Sequence, residues 1–231
     1  MKVLYEDNHY IAIQKKSGEL SQGDSSGDMP LGENVKDYIK KKYNKPGDVF
    51  LGVVHRLDRP VSGVILFART SKGLTRMQEL FRNKEVKKTY LAIVHGFPKE
   101  TEGTLKHFLV KDNEKNTVKA FNKEKKDSKE AILRYKLLGN LHGKSLLAVY
   151  PETGRSHQIR AQLSQNKNSI LGDVKYGGQK ADDKNQIYLH ALKLEFVHPV
   201  KKEKVIIKVL PEGSYWSEFG DIIKAEFNKR S

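Results

Sequence analysis

The chain has 231 residues, 37% hydrophobic and 31% charged, a balance that fits one globular domain with a substantial core and contains no apolar run long enough to span a bilayer. It has no cysteine, which excludes disulfides, thiolate metal sites and cysteine nucleophiles. Lysine and arginine number 43 against 28 acidic residues, a net charge of +15; a polyanion is the commonest partner of such an excess, because each neutralised phosphate releases counterions, and a basic surface that only aids solubility fits the same numbers.

Residues 3–14 alternate imperfectly, with Val3, Tyr5, Ile11 and Ile13 apolar, and read as one or two strands around Glu6-Asp7-Asn8-His9. Glu6 and Asp7 interrupt the apolar opening and no small-residue cleavage site follows, so a secretory signal is not expected and a cytoplasmic protein is. A Gly/Ser/Asp-rich loop over 18–32 gives way to a helix whose face is Leu31, Val35, Tyr38 and Ile39, ending in Lys40-Lys41-Lys42 before Asn44-Lys45-Pro46-Gly47. Residues 50–54 read as a short buried strand and 63–68 as a second, with the polar loop 55–60 between them. Thr70 or Ser71 can cap a helix with Leu74, Met77, Leu80 and Phe81 on its apolar face, and 88–94 form the next strand.

From 97 to 129 the apolar signal weakens and charge dominates, which predicts a hairpin-bearing excursion reaching out from the core. Residues 131–138 and 145–150 pair as a hairpin, Thr153-Gly154-Arg155 leads into a helix carrying Ile159 and Leu163, and 188–197 and 204–210 are further strands. A closing amphipathic helix is expected over 214–229. Strands cluster without alternating with helices, which predicts an α+β fold: a single domain over 1–231 with a mixed, largely antiparallel sheet and flanking helices.

Residues 139–145, G-N-L-H-G-K-S, end like a phosphate-binding loop but have one residue too few between the glycines and lie between two antiparallel strands, so a hairpin turn is expected. The eight histidines form no compact ligand set, and neither a metal nor a nucleotide cofactor is expected. Asp58 stands between Arg56 and Arg59; alone, that arrangement is an ordinary surface ion-paired carboxylate.

The longer string, H-R-L-D-R-P-V-S-G-V-I-L-F-A-R-T over 55–70, resembles the signature of the RluA family of pseudouridine synthases. Lys88-Thr89-Tyr90-Leu91-Ala92 is similar to that family's tyrosine motif, and Thr153-Gly154-Arg155-Ser156-His157-Gln158-Ile159-Arg160 to its arginine motif, followed by the similar Ile170-Leu171-Gly172-Asp173 and Tyr176-Gly177. With Leu4-Tyr5-Glu6-Asp7 the resemblance covers residues 3–210; Lys16 stands where the family usually has proline, and Val61 where threonine is common.

The resemblance implies an enzyme that isomerises uridine to pseudouridine in structured ribosomal or transfer RNA, bound in a central cleft, with no cofactor and no membrane, working as a monomer and without the small RNA-binding module that many relatives carry ahead of the catalytic domain. It assigns Asp58 as the catalytic carboxylate, Arg155 as the cation that pairs with it, and Tyr90 as the ring that stacks on the target base. Arg56 would hold the flipped nucleotide, with His55, Arg59 and Arg160 as further RNA contacts. Lysines at 40–42, 87–88, 123–126 and 201–204 would extend a track for the RNA backbone. The competing reading is a non-catalytic RNA-binding or RNA-folding protein on the same fold.

Overall fold

The computed structural model describes residues 1–23, 27–181 and 186–227. Their elements, in chain order, are β1 (Lys2–Glu6), β2 (Tyr10–Lys15), α1 (Leu31–Lys42), β3 (Gly52–Val53), β4 (Ser62–Ala68), α2 (Ser71–Arg82), β5 (Lys87–His95), β6 (Glu102–Asp112), β7 (Thr117–Phe121) and β8 (Lys129–Leu141). There follow β9 (Lys144–Pro151), α3 (Gln158–Gln165), a 3-10 turn at Val174–Tyr176, β10 (Leu189–Val197), β11 (Lys204–Lys208), α4 (Ser214–Glu218) and α5 (Gly220–Phe227). The fold is α+β, and the chain packs as two compact units, Met1–Lys87 with Ala191–Leu210, and Lys88–His190 with Pro211–Ser231.

In the first unit the strands run β1-β2-β4-β10, with β11 beside β10 and β3 beside the end of β4. The pairings β1–β2, β2–β4, β3–β4 and β10–β11 are antiparallel. Helix α2 begins where the sequence places it: Thr70 accepts a hydrogen bond from the amide of Gly73, satisfying one of the orphan donors of the first turn. The helix then buries Met77 among Tyr10, Leu66, Phe196 and Ile207. Gly63 has φ +124 and lies so near β10 that a Cβ there would meet the carbonyl oxygen of Ala191 at 2.2 Å, so only glycine fits. The strand expected at 50–54 is shorter than the sequence suggests, reduced to Gly52–Val53, and Phe50 is exposed.

The β1–β2 turn is organised by Asp7. Its Oδ1 accepts from the amides of His9 and Tyr10, each at 2.8 Å, and its Oδ2 from the Tyr5 hydroxyl at 2.8 Å. The Nε2 of fully buried His198 lies 2.9 Å from Oδ2, while Nδ1 of that ring accepts from the amides of Val200 and Lys201, which puts the ring proton on the side facing the carboxylate.

In the second unit the strands run β5-β9-β8-β6-β7, all antiparallel. The hairpin expected within 97–129 is β6–β7, and it does not stand away from the sheet: β6 pairs with β8 from Glu102↔Lys136 to Leu109↔Lys129. Leu109 and Val118 pack on Ala131, Ala161 and Tyr176; the apolar signal is weak because Lys106, Lys111 and Lys119 stand exposed along the two strands. The β8–β9 strands meet at His142-Gly143, both at positive φ (48 and 73), the conformation of a two-residue hairpin turn. The closing helix is two helices, broken at buried Phe219; residues 228 and 229 of the expected span lie outside the described residues. No helix among the described residues is long and apolar enough to cross a membrane.

The Asp7 carboxyl is held down to about 2: burial works against its charge, and the Tyr5 hydroxyl, the two amides and Lys201 outweigh it. A depressed carboxyl stabilises the fold in full above the ordinary value near 4 and loses that contribution as pH falls toward 2. Thermal melts from about pH 5 to about pH 2 should therefore decline more steeply for the wild type than for Asp7→Asn, whereas parallel curves would contradict this role.

Candidate functional site

Asp58 sits half-buried in the loop between β3 and β4, within the first unit. The loop is anchored from beneath by the segment that follows β2. Lys15, the last residue of β2, is fully buried, and its ammonium donates to the carbonyls of Lys16, Arg59 and Val61 at 3.1, 2.9 and 2.7 Å. Burial lowers this ammonium to about 8, against the pull of Glu19 and Asp58. Gly18 donates its amide to Arg59, and the Ser17 hydroxyl donates to Pro60. Ser21 accepts from the amide of Leu57 and donates to its carbonyl. Leu57 is thereby turned inward, 6% exposed, while Arg56 before it is exposed.

The two departures from the family string are accommodated locally. Lys16 has the amide that proline lacks, and donates it to Glu19 at 2.6 Å. Val61 is buried, with its amide bonded to the carbonyl of Asp58. Arg59 is held at the surface by the carbonyl of Gly18 and by Asp28. His55 is engaged in structure: Nε2 accepts the amide of Leu66, taking the place of the next ladder bond that a longer β3 would make, and the ring stacks on Phe81 at 5.2 Å.

Tyr90 and Arg155 belong to the second unit. Tyr90, half-buried on β5 opposite Val149, shares a strand face with Lys88, whose ammonium donates to the carbonyl of Thr153. The arginine loop is therefore tied to the start of the tyrosine strand. Gln158 organises the loop: Oε1 accepts from the Thr153 hydroxyl at 2.7 Å and the Arg155 amide at 2.9 Å, and Nε2 donates to Ile132. Arg155 is exposed, with Nε donating to the carbonyl of Glu130 at 3.1 Å.

Arg160, named above as an RNA contact, is 5% exposed. Its guanidinium is buried, bonded to both oxygens of Asp173 at 2.7 and 2.9 Å, and stacked 4.8 Å over Tyr176. Gly143 closes the β8–β9 turn and Lys144 and Ser145 begin β9, with Lys144 paired to Glu218 and lying over the Tyr215 ring. No group of three or more potential metal ligands occurs among the described residues. Sequence reasoning missed Lys15, which looks like half of a surface lysine pair, and Gln158, whose part in the motif becomes visible only in its three hydrogen bonds.

A family model for RNA pseudouridylate synthase matches residues 9–165. Over 213 residues the chain is 34% identical to ribosomal large subunit pseudouridine synthase C of Buchnera aphidicola subsp. Baizongia pistaciae, covering 89% of this chain and 65% of that relative. It is 31% identical over 229 residues to tRNA pseudouridine synthase C of Vibrio parahaemolyticus, covering 90% of this chain and 89% of that one. The structure of human RNA pseudouridylate synthase domain containing 4 matches with a TM-score of 0.77 over 96% of this chain and 93% of that chain at 21% identity, a likeness of fold. The chain belongs to the RNA pseudouridylate synthase family.

Removing one partner of a buried ion pair strands the other charge, so Arg160→Ala should cost about 3–5 kcal/mol in urea denaturation, and the protein that remains folded should bind RNA as the wild type does. Unaltered stability with weakened RNA binding would instead make Arg160 an RNA contact.

Proposed function

We propose that the chain is an enzyme that isomerises uridine to pseudouridine in structured ribosomal or transfer RNA, with Asp58 as the catalytic carboxylate. The observation that carries the reading is the build of the Asp58 loop: Lys15, Ser17, Gly18 and Ser21 hold its backbone on both sides of a carboxylate that stays half-exposed. Such an investment of buried hydrogen bonds around one half-exposed acid suits chemistry better than a surface ion pair. Family membership and relatives named for ribosomal large subunit RNA and for tRNA support the substrate class.

The reaction breaks the N1 glycosidic bond, turns the uracil, joins its C5 to the same sugar carbon and releases the hydrogen of C5. A carboxylate serves as nucleophile at sugar or base, or as proton acceptor. Arg155 would serve as the cation that keeps this carboxylate charged and oriented, and Tyr90 as the stacking ring for the flipped base. Arg56, exposed beside Asp58 in the loop, would hold the nucleotide out of its stack at a cost of a few kcal/mol. The chain would work as a monomer in the cytoplasm, its +15 charge attracting the RNA backbone.

RNA tritiated at uracil C5 should release label with the wild type, and Asp58→Ala and Arg155→Met should abolish or strongly depress that release. Tight RNA binding without any release, across ribosomal and transfer RNA pools, would replace the isomerase with a non-catalytic RNA-binding protein.

A further inference from the structure

The segment around Tyr176 has no part in the reaction as drawn above, although it repeats the family string. Tyr176 is a fixed post inside the second unit, 8% exposed. Its carbonyl accepts from the hydroxyls of Ser164 and Ser169 at 2.7 and 2.9 Å, and the Arg160 guanidinium, clamped by Asp173, lies over its ring. Its hydroxyl contacts the Val118 amide and the His157 ring. The amide of Val118, 2.9 Å away, can only donate, so the tyrosine oxygen accepts there. With the imidazole proton on Nε2, the hydroxyl donates its own proton to Nδ1 of His157, 2.7 Å away.

Both recipients need that bond. Val118 lies on β7, the last strand of its sheet, and its amide would otherwise be an unpaired edge donor next to the buried Leu109–Ala131 cluster. His157 is a non-glycine residue in the left-handed conformation, φ 50 and ψ 20, which costs a β-carbon residue on the order of 1–2 kcal/mol. Such a backbone persists where surrounding bonds fix it. Its position fixes Arg155, two residues earlier, because the turn between them closes through the carbonyl of Arg155 accepting from the Gln158 amide and through Gln158 Oε1 accepting from the Arg155 amide.

We propose that Tyr176 is a positioning residue for Arg155, acting through its hydroxyl on His157 and fastening the arginine loop to edge strand β7. The hydrogen-bonded row Val118 amide, Tyr176 hydroxyl, His157 ring makes the loop geometry depend on the docked hairpin, and each bond in it polarises the next. The proposal rests on the isomerase reading for its effect on turnover; the structural tie stands without it.

Three variants test it. Tyr176→Phe keeps the ring under Arg160 and removes the hydroxyl; His157→Ala removes the acceptor; His157→Asn keeps an acceptor and a residue that tolerates the left-handed region. Amide hydrogen exchange at Arg155 should become several-fold faster in Tyr176→Phe and His157→Ala and stay near wild type in His157→Asn. Single-turnover tritium release should fall about 10- to 100-fold in the first two and recover in the third, with RNA Kd unchanged within about two-fold. Unchanged exchange at Arg155 in Tyr176→Phe overturns the proposal, as does His157→Asn failing as badly as His157→Ala, which would make the imidazole itself the needed group. If the wild type released no label, the isomerase reading would fall and the exchange measurement would still decide the tie.

Discussion

One ammonium group, that of Lys15, holds the loop on which the proposed chemistry depends. A charge taken out of water is costly unless its donors are satisfied, and Lys15 finds one carbonyl for each of its three protons. Two of those carbonyls, on Arg59 and Val61, follow Asp58 in the chain, and the third closes the segment at Lys16. The polar run from His55 to Pro60 can therefore leave the sheet, turn Leu57 inward and return as β4 with no regular ladder to support it. The serines at 17 and 21 extend the same fastening toward Leu57 and Pro60.

The second unit reaches the same end with a neutral amide. Gln158 takes two donors and gives one, which closes the turn between Thr153 and α3 and leaves the Arg155 side chain outside. Behind it the Arg160–Asp173 pair and the Tyr176 ring form a rigid backing. In both units a charged residue, half-buried Asp58 or exposed Arg155, stands on a loop whose backbone is satisfied by buried polar side chains. The flexibility expected of an irregular connection is removed at the positions where a reacting group would have to be held still.

Much of this was legible in the sequence, for definite reasons. Imperfect alternation marked β2, a continuous apolar run marked β4, and Thr70 ahead of the Leu74, Met77, Leu80 face marked α2. The β8–β9 hairpin was readable with its turn over 139–143; the strands run further, to Leu141 and from Lys144, and turn at His142-Gly143. The β6–β7 hairpin was legible and its docking was not, since strands interrupted by exposed lysines carry a weak apolar signal even where Leu109 and Val118 pack beside Ala161 of α3. Arg160 shares a string with Arg155, and nothing in that string shows that Arg160 is buried against Asp173 while Arg155 is exposed. Lys15 was invisible, because nothing local distinguishes a lysine that turns inward from its neighbour Lys16 that does not. Phe219, buried between α4 and α5, broke a helix that periodicity had continued.

The measurement that bears most directly on this account is the urea-unfolding free energy of Lys15→Met, combined with amide exchange at Gly18 and Val61. With the ammonium gone, buried carbonyls lose their donor at roughly 1–3 kcal/mol each, so the variant should be several kcal/mol less stable. Protection should be lost first at those two amides, which bond to Arg59 and Asp58. A variant as stable as the wild type, with both amides equally protected, would mean that the Asp58 loop keeps its shape without the lysine.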